Sequence, residues 1–271
     1  MPMFQIKSRL NGSVLFQAET ESLKLCVKAA VSAGANLRNA DFQGADLRDA
    51  DLRNADLRNA NLRNADFHGA DLRNANLQNA DLWDADFRDA NLLAADFHGA
   101  DLRDASFRNA NLRNANLRNA YFQGADLRDA NLRNANLRDA DLRDANLRNA
   151  DFHGANLRNA NLTPIRDDLW AVLCASPREV PALRQALVDG CVDGLTYHGD
   201  CACLVGTLAN ARRCAHTAIP GLSPSPRRAA ERFFFCIKKG DTPATSQFAA
   251  LAVQWIDEWT INMQSAFAKG D

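Results

Sequence analysis

The chain has 271 residues, with 32 basic and 33 acidic side chains and a formal charge of −1. That balance excludes an ordinary nucleic-acid binder, which needs a strong positive excess. No apolar run reaches the roughly 20 residues of a membrane-spanning helix, and Lys7 and Arg9 interrupt the only early apolar stretch, so a cytoplasmic protein without a secretory leader is expected. Residues 1–34 read as a hairpin and a helix that cover whatever follows. Phe4 to Leu10 and Ser13 to Ala18 alternate as strands around a two-residue Asn11-Gly12 turn. Thr20 reads as a helix N-cap with Glu21 in the first turn, Leu23, Val27, Ala30 and Val31 form an apolar stripe, and Gly34 ends the helix.

From Ala35 to Ala160 every fifth residue is alanine, and two residues after each stands Leu or Phe. A period of five fits neither a 3.6-residue helix nor strand alternation. It fits a chain that turns after every five residues, with Ala and Leu or Phe facing one core. Asn or Asp usually precedes the large residue and Arg usually follows it, as in Leu52-Arg53-Asn54. The position after that is Asn, Asp or Gly except at Ala94 and Pro164; these three residue types tolerate the positive φ of a type II turn. Four turns would close a coil of 20 residues.

This pattern resembles the pentapeptide-repeat family over Ala35 to about Pro164. The resemblance implies a β-solenoid, a right-handed quadrilateral β-helix, with Leu37, Phe42, Leu47 and their successors as central hydrophobes. Its appearance is closest to uncharacterised bacterial or phage members with non-repeat terminal domains. About 6.5 coils at ~4.8 Å each would span roughly 31 Å. Residues 20 apart should stack, which places Phe67, Phe87 and Phe107 in one aromatic column. The Phe-x-Gly units at Phe42, Phe67, Phe97, Phe122 and Phe152 read either as corners altered by a larger core residue or as a duplicated unit. His68, His98 and His153 fall on three different sides and cannot converge.

Residues 165–271 lack the repeat and read as a mainly helical domain that caps the last coil and offers a recognition surface. Asp168 to Cys174 and Pro177 to Val188 read as helices, followed by a Gly- and Cys-rich loop. Ser225 with Pro226 should open a helical run ending near Lys239, and Thr242 with Pro243 the last helix, where Phe248, Leu251, Ala252, Trp255, Ile256 and Trp259 recur at threes and fours. That spacing reads Trp255 and Trp259 as core. Cys201, Cys203, Cys214 and His216, with Cys191 and His198 nearby, are weakly spaced for zinc and read as core and loop residues, so no metal and no cofactor are expected. Asp241-Thr242-Pro243 reads as a helix start, not a protease signature.

Charges on the four sides of the repeat are uneven. Beginning with the side of Leu37 and ending at Thr163, they are +2, −4, −2 and +1. No Ser/His/Asp neighbourhood, phosphate loop or carboxylate pair is present, so no catalytic residue is assigned. The expectation is a non-enzymatic scaffold or protein-binding module. The family resemblance implies an alternative: a DNA-mimicking protein that binds DNA gyrase and protects it from inhibitors. Against it stand the many outward arginines and the modest acidity, since duplex DNA carries one charge per about 1.7 Å.

Overall fold

The computed structural model describes residues 1–196, 203–215 and 228–267. The chain divides into two compact units, Met1–Thr163 and Pro164–Asp271.

The first unit opens with an antiparallel hairpin, β1 (Met3–Lys7) and β2 (Val14–Glu19), whose register shifts between Ile6 and Lys7. The first strand stops short of the expected Leu10 because the chain there pairs with the repeat. Ser8 bridges Ala40, Arg9 N–H donates to Asn39 O at 2.7 Å, and Asp41 N–H donates to Lys7 O at 2.8 Å. The connection therefore runs from Ser8 to Ser13, closed by Gly12 N–H to Ser8 O at 2.9 Å, and is longer than a two-residue turn. Helix α1 (Leu23–Ser32) buries Cys26, Val27 and Ala30. Its N-cap is Ser22, whose Oγ accepts from Leu25 N–H at 3.2 Å; Thr20 instead donates to Ser22 O, and Glu21 lies outside the first turn. Gly34 does follow the helix, at φ 66°.

Within the repeat, Ala and Leu or Phe are buried from Leu37 to Leu157. Each side ends in a turn closed by an alanine N–H, such as Ala50 to Leu47 O at 3.1 Å. The residue before that alanine takes positive φ throughout, and Ala94 does so too, at 58°. Pro164 occupies the next such slot, and its ring fixes φ near −65°, so the period cannot continue there. Successive coils are joined at 20-residue spacing. Leu47 N–H donates to Asp66 O at 2.8 Å and Asp66 N–H to Ala45 O at 3.0 Å, and parallel bridges of this kind run from Asp41–Asn61 to Asp141–Asn161.

These observations correct the expected fold class. A β-solenoid built as a quadrilateral β-helix should carry strands along its sides. Among the described residues the only sheet is the two-stranded β1–β2, and the regular elements are mainly helices. The period explains the difference. With two residues of every five committed to a turn, one residue per side is left to bridge the next coil, too few for a strand.

The core between the coils is aromatic in its middle. Phe67 and Phe87 stack with centroids 4.8 Å apart, and Phe87 and Phe107 at 4.9 Å. Phe97 meets Phe87 edge-on at 5.9 Å and Phe122 lies 5.7 Å from Phe107. The interior is narrow enough for rings from different sides to touch, which separate columns did not anticipate. At Phe-x-Gly corners after the first coil the glycine also lies close to a side chain of the coil before, whereas Gly44 meets nothing within 4 Å. A Cβ on Gly69 would lie 2.5 Å from Asp49 Oδ1, and one on Gly99 2.5 Å from Asn79 Oδ1, each on the preceding coil.

The second unit contains α2 (Thr163–Ala175), a 3-10 turn (Pro177–Glu179), α3 (Val180–Val188), α4 (Leu204–Arg212), α5 (Ala229–Phe234) and α6 (Gln247–Phe267). Helix α4 occupies part of the expected loop. Helix α5 is much shorter than the expected run to Lys239; Ser225 and Pro226 lie outside the described residues. Helix α6 begins after Thr242, because Thr242 and Thr245 close a turn on each other and Ser246 Oγ takes Ala249 N–H at 3.5 Å. Trp255 and Trp259 are each 6% exposed, as core residues should be. Phe233 lies 5.1 Å from Trp255, Trp170 Nε1 donates to Trp255 O at 2.9 Å, and Trp259 Nε1 reaches Cys174 Sγ at 3.4 Å.

Candidate interaction surface

The outward side chains of the repeat obey a local rule. The Asn or Asp before each central hydrophobe accepts a hydrogen bond from the backbone N–H two residues on, as Asp66 Oδ1 does from His68 at 2.9 Å. This Asx arrangement fixes the side chain beside the turn. Where Asp holds that slot and Arg follows the hydrophobe, the two side chains close a bidentate fork. Arg48 Nε and Nη2 reach Asp46 Oδ1 and Oδ2 at 2.9 and 2.6 Å. The same fork forms at Asp51–Arg53, Asp56–Arg58, Asp71–Arg73 and Asp86–Arg88. It recurs at Asp101–Arg103, Asp126–Arg128 and Asp141–Arg143. Every Asp-x-Arg triplet of the repeat makes it, so the signal was present in the sequence. The hydrogen bond from Arg53 holds the Asp51 carboxyl at about 2, and that from Arg48 holds Asp46 lower still.

The forks cancel charge inside single repeats, which leaves Asp41, Asp66, Asp81, Asp96 and Asp151 and the corner carboxylates outside them. Asp84, Asp104 and Asp144 lie in one corner column and Asp49, Asp89 and Asp129 in the next. Of these, Asp89 receives His68 Nε2 at 3.2 Å and Asp104 receives an indole N–H. Arginines that follow Asn have no fork. Arg38 reaches across a coil to Asp56 at 2.8 Å, while Arg63 and Arg133 stay 3.8 and 3.5 Å from Asp81 and Asp151.

One side carries two aromatic departures from the repeat pattern. On the side of Phe42, Trp83 stands where Arg is usual and Tyr121 where Asn or Asp is usual. Trp83 Nε1 donates to Asp104 Oδ2 at 3.0 Å, and the Arg63 guanidinium lies 4.9 Å from the centre of the Trp83 ring. Tyr121 is 50% exposed. A recess of about 350 Å³ opens beside Trp83, lined by Arg9 of the hairpin connection and by Gln43, Asn61, Arg63, Asn64 and Asp81.

Among the described residues the second unit buries two carboxylates, Glu179, which pairs with Arg212 at 2.8 Å, and Glu231. Glu231 in α5 is fully buried, and neither carboxyl oxygen has a hydrogen-bond partner among the described residues. Burial pushes its pKa up to about 7, against the attraction of Arg228 and a weak interaction with the Cys203 thiol. Burial likewise pushes the Cys203 thiol up to about 12. Among the described residues no group of three or more His, Cys, Asp or Glu could hold a metal ion. Cys201, His198 and His216 lie outside the described residues. His98 and His153 donate their backbone N–H to Asp96 and Asp151. Among the described residues no helix is long and apolar enough to cross a membrane.

A model of the family described as Pentapeptide repeats matches eight copies over residues 33–69, 70–109, 95–134 and 125–163. The chain belongs to the pentapeptide-repeat family. Solved structures of other pentapeptide-repeat proteins are similar to it. HetL, from the cyanobacterium Nostoc sp. strain PCC 7120 and involved in heterocyst differentiation regulation, is 30% identical over 47% of this chain and 77% of its own, with a TM-score of 0.26. The protein alr5209 of Nostoc PCC 7120 is 32% identical over 48% of this chain and 91% of its own, with a TM-score of 0.21. QnrB1, a plasmid-mediated fluoroquinolone resistance protein, is 21% identical over 44% of this chain and 73% of its own, with a TM-score of 0.25. At these TM-scores the superpositions carry no argument, and the assignment rests on the repeat itself. No curated protein matches the chain.

Proposed function

We propose that this pentapeptide-repeat protein is a non-catalytic, cytoplasmic protein-binding module or scaffold. One observation carries the reading: the two outward Trp and Tyr side chains of the repeat, Trp83 and Tyr121, share a single side, and Trp83 lines the recess at Arg9 and Arg63. Tyr121 is exposed and Trp83 half-buried, and outward aromatics among charged neighbours are characteristic of protein-recognition sites. The core below them keeps the Ala and Leu or Phe pattern, so these two departures are confined to the surface. The unit from Pro164 onward adds helices whose composition the repeat does not dictate, and it is read as part of the same module. The test is affinity capture from native lysate with the full chain and with a Trp83→Arg, Tyr121→Asn variant, which restores the repeat pattern. Loss of a specific partner with the folded variant supports the reading. A partner retained at full strength, or reproducible catalytic turnover by the purified chain, sinks it.

A second reading draws on the corner carboxylates. Asp84, Asp104 and Asp144, next to Asp49, Asp89 and Asp129, escape the Arg–Asp forks and flank one side of the repeat. Such columns suit a basic protein groove of the kind that receives DNA, and DNA gyrase is the partner this reading names. The forks weigh against it, since they neutralise eight carboxylates locally. A supercoiling assay with and without a quinolone decides it: no effect of the protein at physiological salt removes gyrase as partner.

A further inference from the structure

Arg9 and Arg63 reach one recess from separate parts of the first unit, and neither is held by a fork. Arg63 lacks one because Asn61, not Asp, stands two residues before it, and Asn61 gives its amide N–H to Asp41 Oδ1 at 2.9 Å. The closest carboxylate to Arg63, Asp81, is 3.8 Å away, beyond hydrogen-bond length. The guanidinium is instead held against the Trp83 ring at 4.9 Å. A guanidinium placed on an aromatic ring is ordered, while its in-plane N–H groups stay available. Trp83 is itself oriented by its hydrogen bond to Asp104. Arg9 enters from the hairpin connection, anchored through its backbone N–H to Asn39 O at 2.7 Å. Gln43 and Asn64 add amide groups to the walls, and Asp81 is the one carboxylate among the residues lining the recess. Two cations against one anion give it a local positive charge on the side whose total is −4.

We propose that this recess is a carboxylate-binding site that receives an acidic side chain of a partner protein, clamped between the Arg9 and Arg63 guanidinium groups. The planar fork of arginine matches a carboxylate with two parallel N–H donors. The acidic remainder of the side limits the partner to a short acidic segment, because a long one meets Asp84, Asp104 and Asp144. The proposal rests on the protein-binding reading and specifies one contact within it.

The test uses the full chain and an acetylated, amidated hexaglutamate peptide as probe, with inorganic phosphate as a second probe, read by isothermal titration calorimetry at low and at physiological salt. The peptide should bind with 1:1 stoichiometry. Arg9→Gln and Arg63→Gln should each weaken it by about tenfold or more, and Arg148→Gln, on another side, should leave it unchanged. Trp83→Phe should weaken it less than Arg63→Gln, because a ring is kept. No peptide binding at low salt overturns the proposal, as does equal weakening by Arg148→Gln. Phosphate binding tighter than the peptide also overturns it and reassigns the recess to a free oxyanion. A lysate partner whose capture ignores Arg9→Gln and Arg63→Gln but is lost on restoring the repeat pattern at Trp83 and Tyr121 overturns this site alone and leaves the protein-binding reading standing.

Discussion

Asp49 and Gly69 face each other across a corner, one coil apart, so closely that a methyl group on Gly69 would meet Asp49 Oδ1 at 2.5 Å. Gly69 also holds φ at +70°. Gly69→Ala should therefore destabilise the first unit by about 1–3 kcal/mol, through the left-handed backbone and the contact together. Adding Asp49→Ala should remove the contact and recover part of the loss. Chemical denaturation of the two variants measures both components. Equal stability of the single and double variants would show that backbone conformation alone matters at this corner.

The aromatic stack makes a second expectation. Phe87 lies between Phe67 and Phe107 and touches Phe97 edge-on. Phe87→Ala should cost about 3–5 kcal/mol, because lost transfer energy is joined by a cavity that the coils cannot close. Arg88→Ala opens only an exposed fork and should cost far less. Melting combined with limited proteolysis compares the two; similar losses would refute the inward–outward assignment.

The two units should respond to pH in opposite directions. Glu231 has a folded pKa of about 7 against an ordinary 4.5. A raised carboxyl pKa means that the folded state keeps the proton longer, so its contribution is fully present below pH 4.5 and is lost as pH rises through 7. The loss should be of order 3 kcal/mol by pH 8. Urea titrations of the full chain, followed by helix ellipticity, should show a midpoint that falls between pH 5 and 8, and Glu231→Gln should flatten that fall. A slope unchanged by the substitution would mean that another group titrates there.

Asp46 and Asp51 have depressed pKa values, set first by the hydrogen bonds from Arg48 and Arg53. Depressed carboxyls stabilise above their unfolded value, 3.8 for Asp, and that contribution disappears as pH falls toward the folded value. Hydrogen exchange of the repeat amides should accelerate between pH 4 and 2 beyond the intrinsic pH dependence of exchange. Protection that remains constant over this range would show that the forks do not contribute.

The inward half of the repeat was legible because an alanine and a large hydrophobe recur without interruption, so one register accounts for every core position. The core role of Trp255 and Trp259 was legible from helical spacing. Other features depended on partners far away in the chain. Strand β1 stops at Lys7 because Ser8 and Arg9 pair with Ala40 and Asn39, and no local pattern announces that. Ser22 displaces Thr20 as N-cap although both residues suit the role, and Thr20 instead donates to Ser22 O. The strands expected along the coils failed to form because a five-residue side leaves one bridging residue. The recess joins Arg9 to Trp83, a pairing created by the hairpin's docking on the first coil. Glu231 sits in a short Ala-Ala-Glu-Arg-Phe-Phe segment where burial of the acid has no sequence signature.

The Asp-x-Arg fork closes within three residues of chain. Its charges are therefore matched before any neighbouring coil exists. Recombination that inserts or removes a whole 20-residue unit leaves every such fork intact, and the turns on either side meet in the same register, whereas pairs made between coils, such as Arg38–Asp56, are exchanged for others. Such a gene segment can lengthen or shorten by unequal exchange while each Asp-x-Arg fork keeps its own partner. Residues such as Trp83, whose neighbours lie on other coils or in the hairpin, are what such an exchange would disrupt.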